Sequence, residues 1–351
     1  MTTAKQVYID PTSSAYYQDR LFDLSNPTLN RDDALAPFAH VKDLYALQGI
    51  TVRTADYLLD CAGESPASVD YYSLGVIDNV SALRQRRGVT LKTFVIFEPP
   101  VVDPKPYAAL PELTAGFEQI YLHNTIGDGY SLAGVDQSRL RKLYWPQPNQ
   151  DVLKPYWSRT DRQNRIVVIN GNHIPTTFNK ELYSRRIEAM AALARTGSVD
   201  LYGRGWHKWW SRASMWMPYW RHRRTLMSIY KGPCASKYEV MSQYKYSLCF
   251  ENMAMSGYIT EKIFDCFYSG TIPIYLGASD IADLVPPEAY IDARQFASWD
   301  EIPRYLAALP PQQYEVLRNA GRDFVRSAAG RRYTNSLLDI FGFADTGGER
   351  E

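Results

Sequence analysis

No apolar run in this 351-residue chain approaches the roughly 18 residues that a membrane-spanning helix needs. The opening MTTAKQVYIDPTSS has no apolar stretch of the kind that drives secretion. Charge of one sign is not in excess: 39 basic against 38 acidic residues leave +1, which argues against a dedicated duplex-DNA binder. Cysteine is scarce. Cys61, Cys234, Cys249 and Cys266 are scattered, with neither metal-ligand spacing nor a disulfide framework, as suits a reducing cytosol. There is no Asp-x-Asp, and His40, His123, His173, His207 and His222 show no ligand spacing, so the sequence demands no metal. Repeats and low-complexity tracts are absent as well. What is present is ordinary for a globular protein, 45% hydrophobic and 22% charged, which excludes disordered and collagen-like classes. The length predicts about two domains. The expected location is cytoplasmic, with a peripheral position at the inner face of a membrane as its variant.

Both halves alternate between strand-like and helix-like runs. In the first, Gly49–Thr54, Leu91–Phe97 and Phe117–Leu122 read as strands, the second of them stopped by Glu98-Pro99-Pro100. The polar, proline-containing stretch Pro146–Arg165 reads as a linker. Beyond it the alternation is regular. Ile166–Ile169, Val199–Tyr202, Tyr246–Phe250 and Ile272–Leu276 read as strands, with Pro273 hinting at an edge or a strand start. Helices are expected over Glu181–Ala194, Ser236–Tyr244, Thr260–Tyr268, Trp299–Leu309 and Gln312–Ser327. Such repetition with short connections implies parallel sheets covered on both faces. The expectation is an α/β fold: an N-terminal domain over 1–150, a C-terminal one over 166–330, a cleft between them, and a tail over 331–351.

The richest stretch runs from Phe250 to Lys262 (FENMAMSGYITEK). A buried strand leads into a polar, glycine-containing loop and then into a helix start. In open α/β sheets, ligands bind in such loops, beyond the carboxyl ends of the strands, and a helix N-terminus favours phosphate. Thr260 is a candidate N-cap. Lys262 in the first turn opposes the helix dipole and so invites an anionic partner; the plainer reading is a capped surface helix.

Phe250-Glu251-Asn252, Gly257–Asp265 (GYITEKIFD) and Gly270–Tyr275 (GTIPIY), flanked by Gln243–Cys249 and Tyr290–Arg294, together resemble the signature of the α-1,3/4-fucosyltransferases of glycosyltransferase family 10. The match is dense over Ile166–Phe296 and weak before it. The resemblance implies two Rossmann-like domains facing each other across a cleft, the GT-B type, with GDP-fucose held mainly by the C-terminal one. It makes Asn252, Tyr258 and Lys262 donor-site residues, with Lys262 neutralising the diphosphate and Tyr258 bordering phosphate or sugar. Glu261 would favour positive charge at the anomeric carbon. Arg186 resembles the family's diphosphate-binding arginine, a role that suits a bidentate guanidinium. Arg185 is its rival, and a solvated helix face is the plain alternative for both.

Glu98 follows a buried strand and precedes two prolines, so it has little freedom. It resembles in position the glutamate proposed in the family as the base that deprotonates the acceptor hydroxyl. Family members often have glycine before and a polar residue after this glutamate, where the present chain has Phe97 and Pro99. Asp128, in the glycine-rich loop His123–Tyr130, competes for the role; a turn-capping Glu98 is the structural alternative.

The segment Trp206–Arg224 (WHKWWSRASMWMPYWRHRR) holds five of the chain's eight tryptophans among basic residues, and the resemblance does not account for it. It reads as core packing beneath a loop, as an acceptor platform, or as an interfacial membrane contact; a nucleic-acid reading gains no support elsewhere. The function expected is an inverting transfer of L-fucose from GDP-fucose to a glycan, in surface polysaccharide or lipopolysaccharide synthesis, with no cofactor required and a divalent cation at most stimulatory. The expected partners are a nucleotide-sugar donor, a glycan or lipid-linked glycan acceptor, and a peripheral membrane contact through 206–224, with no nucleic acid. The alternatives are another nucleotide-sugar donor and a non-catalytic glycan-binding protein.

Overall fold

Among the described residues, runs rich in β-branched and aromatic residues form twelve strands, and every neighbouring pair is parallel. The computed structural model describes residues 5–60, 68–208 and 210–343; Cys61 and Trp209 lie outside the described residues. The chain divides into two units. One runs to Pro148 and resumes at Arg332; the other is Asn149–Arg331.

The first unit contains β1 (Gln6–Asp10), β2 (Thr51–Thr54), β3 (Val69–Ser73), β4 (Val89–Val95), β5 (Gln119–Leu122) and β6 (Leu140–Lys142), in the order β2-β1-β3-β4-β5-β6. Both faces are covered, so β3 is buried along its whole length, as expected of a parallel sheet packed on two sides. Successive strand residues point to opposite faces: Tyr71 joins Phe94, Phe117 and Leu122 on one side, and Tyr72 joins Val7, Ile9 and Val95 on the other. That second core also takes Leu337, Ile340, Phe341 and Phe343. The stretch set apart in the sequence as a tail therefore supplies core to the first unit, and the Tyr45 hydroxyl donates to the Phe341 carbonyl at 2.9 Å.

The second unit contains β7 (Gln163–Ile169), β8 (Val199–Tyr202), β9 (Tyr230–Gly232), β10 (Tyr244–Phe250), β11 (Ile272–Leu276) and β12 (Ile291–Asp292), in the order β12-β11-β10-β7-β8-β9. The chain grows outward from β7 to β9, then restarts on the other side of β7 with β10. This is the Rossmann strand order, with its switch point between β7 and β10. Pro273 lies in an interior strand rather than at an edge. β12 pairs only with Ile274 and Tyr275, so the missing N–H of Pro273 falls before that short ladder. The helix expected over Ser236–Tyr244 is confined to Lys237–Met241, because β10 already begins at Tyr244. The polar stretch before β7 is packed rather than loose. Arg162 donates to the carbonyls of Tyr156 at 2.6 Å and Ser269 at 2.7 Å, which ties it to the end of the Glu261–Ser269 helix.

Candidate functional site: the carboxyl edge of the second sheet

At the switch point the chain leaves β7 through Asn170-Gly171-Asn172 and leaves β10 through the Glu251–Thr260 loop. Glu251 organises the second exit. Its carboxylate is wholly buried and accepts from the Thr260 main-chain N–H at 2.9 Å, the Thr260 hydroxyl at 2.8 Å and the Lys262 ammonium at 3.1 Å. Thr260 occupies the N-cap position of the Glu261–Ser269 helix, but its side chain makes no cap bond to that helix; the hydroxyl is spent on Glu251. The anionic partner that Lys262 invites is thus supplied from within the protein. Lys262 also reaches the Thr260 hydroxyl at 2.9 Å and Glu261 at 3.4 Å. Burial by itself would depress the ammonium's pKa, but the Glu251 and Glu261 carboxylates outweigh it and hold the pKa above the usual lysine value. For Glu261 burial would raise the pKa, and the positive charges of Lys262 and Lys237 outweigh that and lower it. Lys237 in turn pairs with Asp265 at 2.5 Å. Glu261, Lys262, Lys237 and Asp265 line one small pocket with Asn170 and Cys249.

Arg186 comes from the Tyr183–Arg195 helix and is 3% exposed. One guanidinium nitrogen donates to the carbonyls of Phe250 at 2.6 Å and Glu251 at 2.8 Å, and reaches the Asn252 side-chain oxygen at 3.3 Å. Its Nε has no partner, and among the described residues no carboxylate forms an ion pair with it. Burial lowers its pKa. Arg185, one residue earlier, points away: it pairs with Glu188 at 3.7 Å and lies over the Trp299 ring. The helix face therefore separates the two rivals. The structure brings Arg186, Asn252, Glu261 and Lys262 to this one edge. Tyr258 is wholly buried in the loop that joins them.

Two residues here were given no role in the sequence. Glu251 was visible only as part of a motif, and nothing local marks a carboxylate at a strand end as a buried hub. Asn172 is 7% exposed, yet neither its amide nitrogen nor its oxygen finds a partner. Its signal was the polar, glycine-containing exit after a strand that mirrors the Glu251 loop. Such unsatisfied buried groups are uncommon and costly; a bound polar ligand would satisfy them. Gly203 is needed at the same edge. Its φ is +139°, and a Cβ there would lie 1.9 Å from the Asn170 carbonyl oxygen.

Glu98 is exposed beyond the end of β4, with its carbonyl accepting from the Tyr107 hydroxyl at 3.0 Å. Asp128 sits on the neighbouring exit, after β5, in a loop shaped by Asn124: its amide exchanges hydrogen bonds with the Asp128 main chain at 3.0 and 3.1 Å. His123 ties the two exits together through a 2.6 Å contact with the Phe97 carbonyl. Both candidates thus stand on the carboxyl edge of the first sheet. The tryptophan-rich segment divides. Trp206 is core: its indole N–H donates to the Asn170 carbonyl at 2.7 Å, and its own carbonyl accepts from the Tyr219 hydroxyl, so it braces the β7 exit. Trp210 and Trp220 are exposed. Among the described residues, no cluster of histidine, cysteine or carboxylate side chains could hold a metal ion, and no helix is long and apolar enough to cross a membrane.

Residues 173–318 match the model of the glycosyltransferase family 10 (fucosyltransferase) C-terminal domain. An α-(1,3)-fucosyltransferase of Helicobacter pylori is 43% identical over 98 residues, 28% of this chain and 20% of that protein. An α-(1,4)-fucosyltransferase of Arabidopsis thaliana is 46% identical over 69 residues, 20% of this chain and 17% of that protein. The chain thus aligns with a fifth or less of the length of these curated relatives. A crystal structure of an α1,3-fucosyltransferase with GDP superposes with a TM-score of 0.53 at 14% identity, covering 97% of this chain and 91% of the other; at that identity the likeness is one of fold. Residues 173–318 are thus similar to the C-terminal domain of the glycosyltransferase family 10 fucosyltransferases.

Proposed function

We propose that the protein is an inverting fucosyltransferase that moves L-fucose from GDP-fucose to a hydroxyl of a glycan or lipid-linked glycan acceptor, with an α-1,3/4-type linkage. The observation that carries this reading is Arg186, a guanidinium buried at the switch-point edge with an unpaired Nε. A buried cation without a bonded carboxylate is costly unless an anion arrives, and a nucleotide diphosphate is the anion that Rossmann edges take. In this mechanism Glu98 removes the acceptor hydroxyl proton as that oxygen attacks the anomeric carbon, and GDP departs from the opposite face. Arg186 and the N-terminus of the Glu261–Ser269 helix stabilise the leaving diphosphate. Glu261 favours the positive charge that develops on the sugar, Asn252 keeps Arg186 aimed, and Lys262 adds positive charge beside the diphosphate.

This chemistry requires no divalent cation, so turnover should persist in EDTA. The setting proposed is cytoplasmic, in surface polysaccharide or lipopolysaccharide synthesis, with a peripheral contact to a membrane. Donor hydrolysis across a panel of nucleotide sugars tests the reading. GDP-fucose should be cleaved fastest. Preference for a different sugar would keep the fold and change the donor, and failure to bind GDP would leave a glycan-binding protein.

A further inference from the structure

We propose that residues 204–224 form a docking surface for an anionic lipid bilayer. The proposal rests on the two faces of the Met217–Ile229 helix and does not depend on the donor chemistry. Tyr219, Leu226 and Ile229 are its buried residues, and they pack it onto the Tyr183–Arg195 helix. At 3.6 residues per turn, Met217, Trp220, Arg221 and Arg224 share the opposite face, and all four are exposed. Met217 is 69% and Trp220 57% exposed. The preceding loop adds Trp210 at 85% and Met215 at 67%. These four are among only ten exposed large hydrophobic residues in the described chain, and all fall within eleven positions.

Charge decides what covers them. From Leu201 to Tyr238 the chain has no aspartate or glutamate, while Arg204, Lys208, Arg212, Arg221, Arg223 and Arg224 give 204–224 six positive charges. The whole chain is +1, so this is a local field rather than a general excess. A second copy meeting this surface about a twofold axis would set like charges against each other. An anionic bilayer has the opposite sign and a headgroup layer that accepts tryptophan, with methionine reaching below it. Trp206 and Tyr219 belong to the core and anchor the surface from beneath.

Sedimentation with vesicles of phosphatidylserine mixed with phosphatidylcholine, against phosphatidylcholine alone, tests the proposal. The wild type should pellet only with the anionic vesicles and be released as salt rises. Arg221→Ala and Arg224→Ala should each weaken partitioning roughly fivefold, and Trp210→Ser with Trp220→Ser should abolish it. Leu47→Ser, which removes an exposed apolar residue from the other unit, should change nothing. Every substituted side chain is exposed, and an unchanged melting temperature verifies folding. Equal binding to both vesicles, salt-independent binding, or no binding by the folded wild type would overturn the proposal. So would retention of a single-stranded oligonucleotide in place of vesicles.

Discussion

The Lys262 ammonium is held 3.1 Å from the Glu251 carboxylate, and this pair turns the end of a buried strand into the start of a helix. Glu251 is fully buried and the Lys262 side chain is 17% exposed. With Thr260 donating twice to the same carboxylate, the three hydrogen bonds to its oxygens come from within eleven residues of sequence. The loop between them is thereby closed on itself, and Asn252 and Glu261 are fixed at its two ends.

Removing one partner should cost more than removing both. Lys262→Ala leaves a buried carboxylate uncompensated and should destabilise the protein by about 3–5 kcal/mol. Glu251→Gln combined with Lys262→Ala should recover much of that loss. Urea unfolding of the two single variants and the double variant checks it. If the double variant's loss equals the sum of the two single losses, the pair is not a coupled unit.

Arg186→Ala should weaken GDP binding by about 1.5–3 kcal/mol, the worth of a charge-assisted hydrogen bond. Arg186→Lys should fail to restore it, because an ammonium lacks the fork geometry. Arg185→Ala should leave GDP affinity unchanged, since that side chain pairs with Glu188 and Trp299 instead. Calorimetric titration of the three variants distinguishes the arginines, and a loss confined to Arg185→Ala would reverse the assignment.

Glu98→Gln should lower turnover roughly 10²–10⁴-fold, as loss of a general base does, with GDP affinity retained. Asp128→Asn should be mild by comparison. A dead Asp128→Asn beside a near-normal Glu98→Gln would move the base to the 124–128 turn. Full activity in both would remove the first sheet from the proton transfer.

Stability should carry a pH signature from Glu261 and Lys262. The Glu261 carboxyl is lowered from its ordinary 4.5, so its contribution is present above that value and is lost as pH falls through the lower folded value. Lys262 is raised from 10.5, so its contribution is present below that value and is lost as pH rises through the folded one. Unfolding free energies across pH for wild type and Glu261→Gln should therefore differ at neutral pH and converge in acid. A constant gap at all pH values would rule out the carboxylate's charge as the cause.

Much of the second unit was legible because its signals are local. Val199–Tyr202 is a strand as read, and Gly270 ends the preceding helix with φ +72°, a backbone state glycine adopts without penalty. The first unit was harder. β1, β3 and β6 went unread: Gln6–Asp10 and Val69–Ser73 are five residues each and Leu140–Lys142 three, too short for periodicity to speak. The segment after residue 331 offered no sign of burial, because its apolar residues complete a core whose other members lie some 200 to 330 positions earlier.

The candidate site divides in the same way. The sequence alone determined that a strand, a polar glycine-bearing loop and a lysine in a helix's first turn follow one another, because strand propensity, turn chemistry and the order of residues are properties of neighbours. It also determined the basic, tryptophan-rich character of 204–224. Only the tertiary structure decided that Arg186 rather than Arg185 turns inward, that Glu251 is the hub on which Lys262 rests, and that Trp206 is core while Trp210 and Trp220 meet solvent. Those outcomes depend on which face of a helix meets the sheet and on which distant chain covers it, and burial and unpaired hydrogen-bonding groups exist only once the chain has packed.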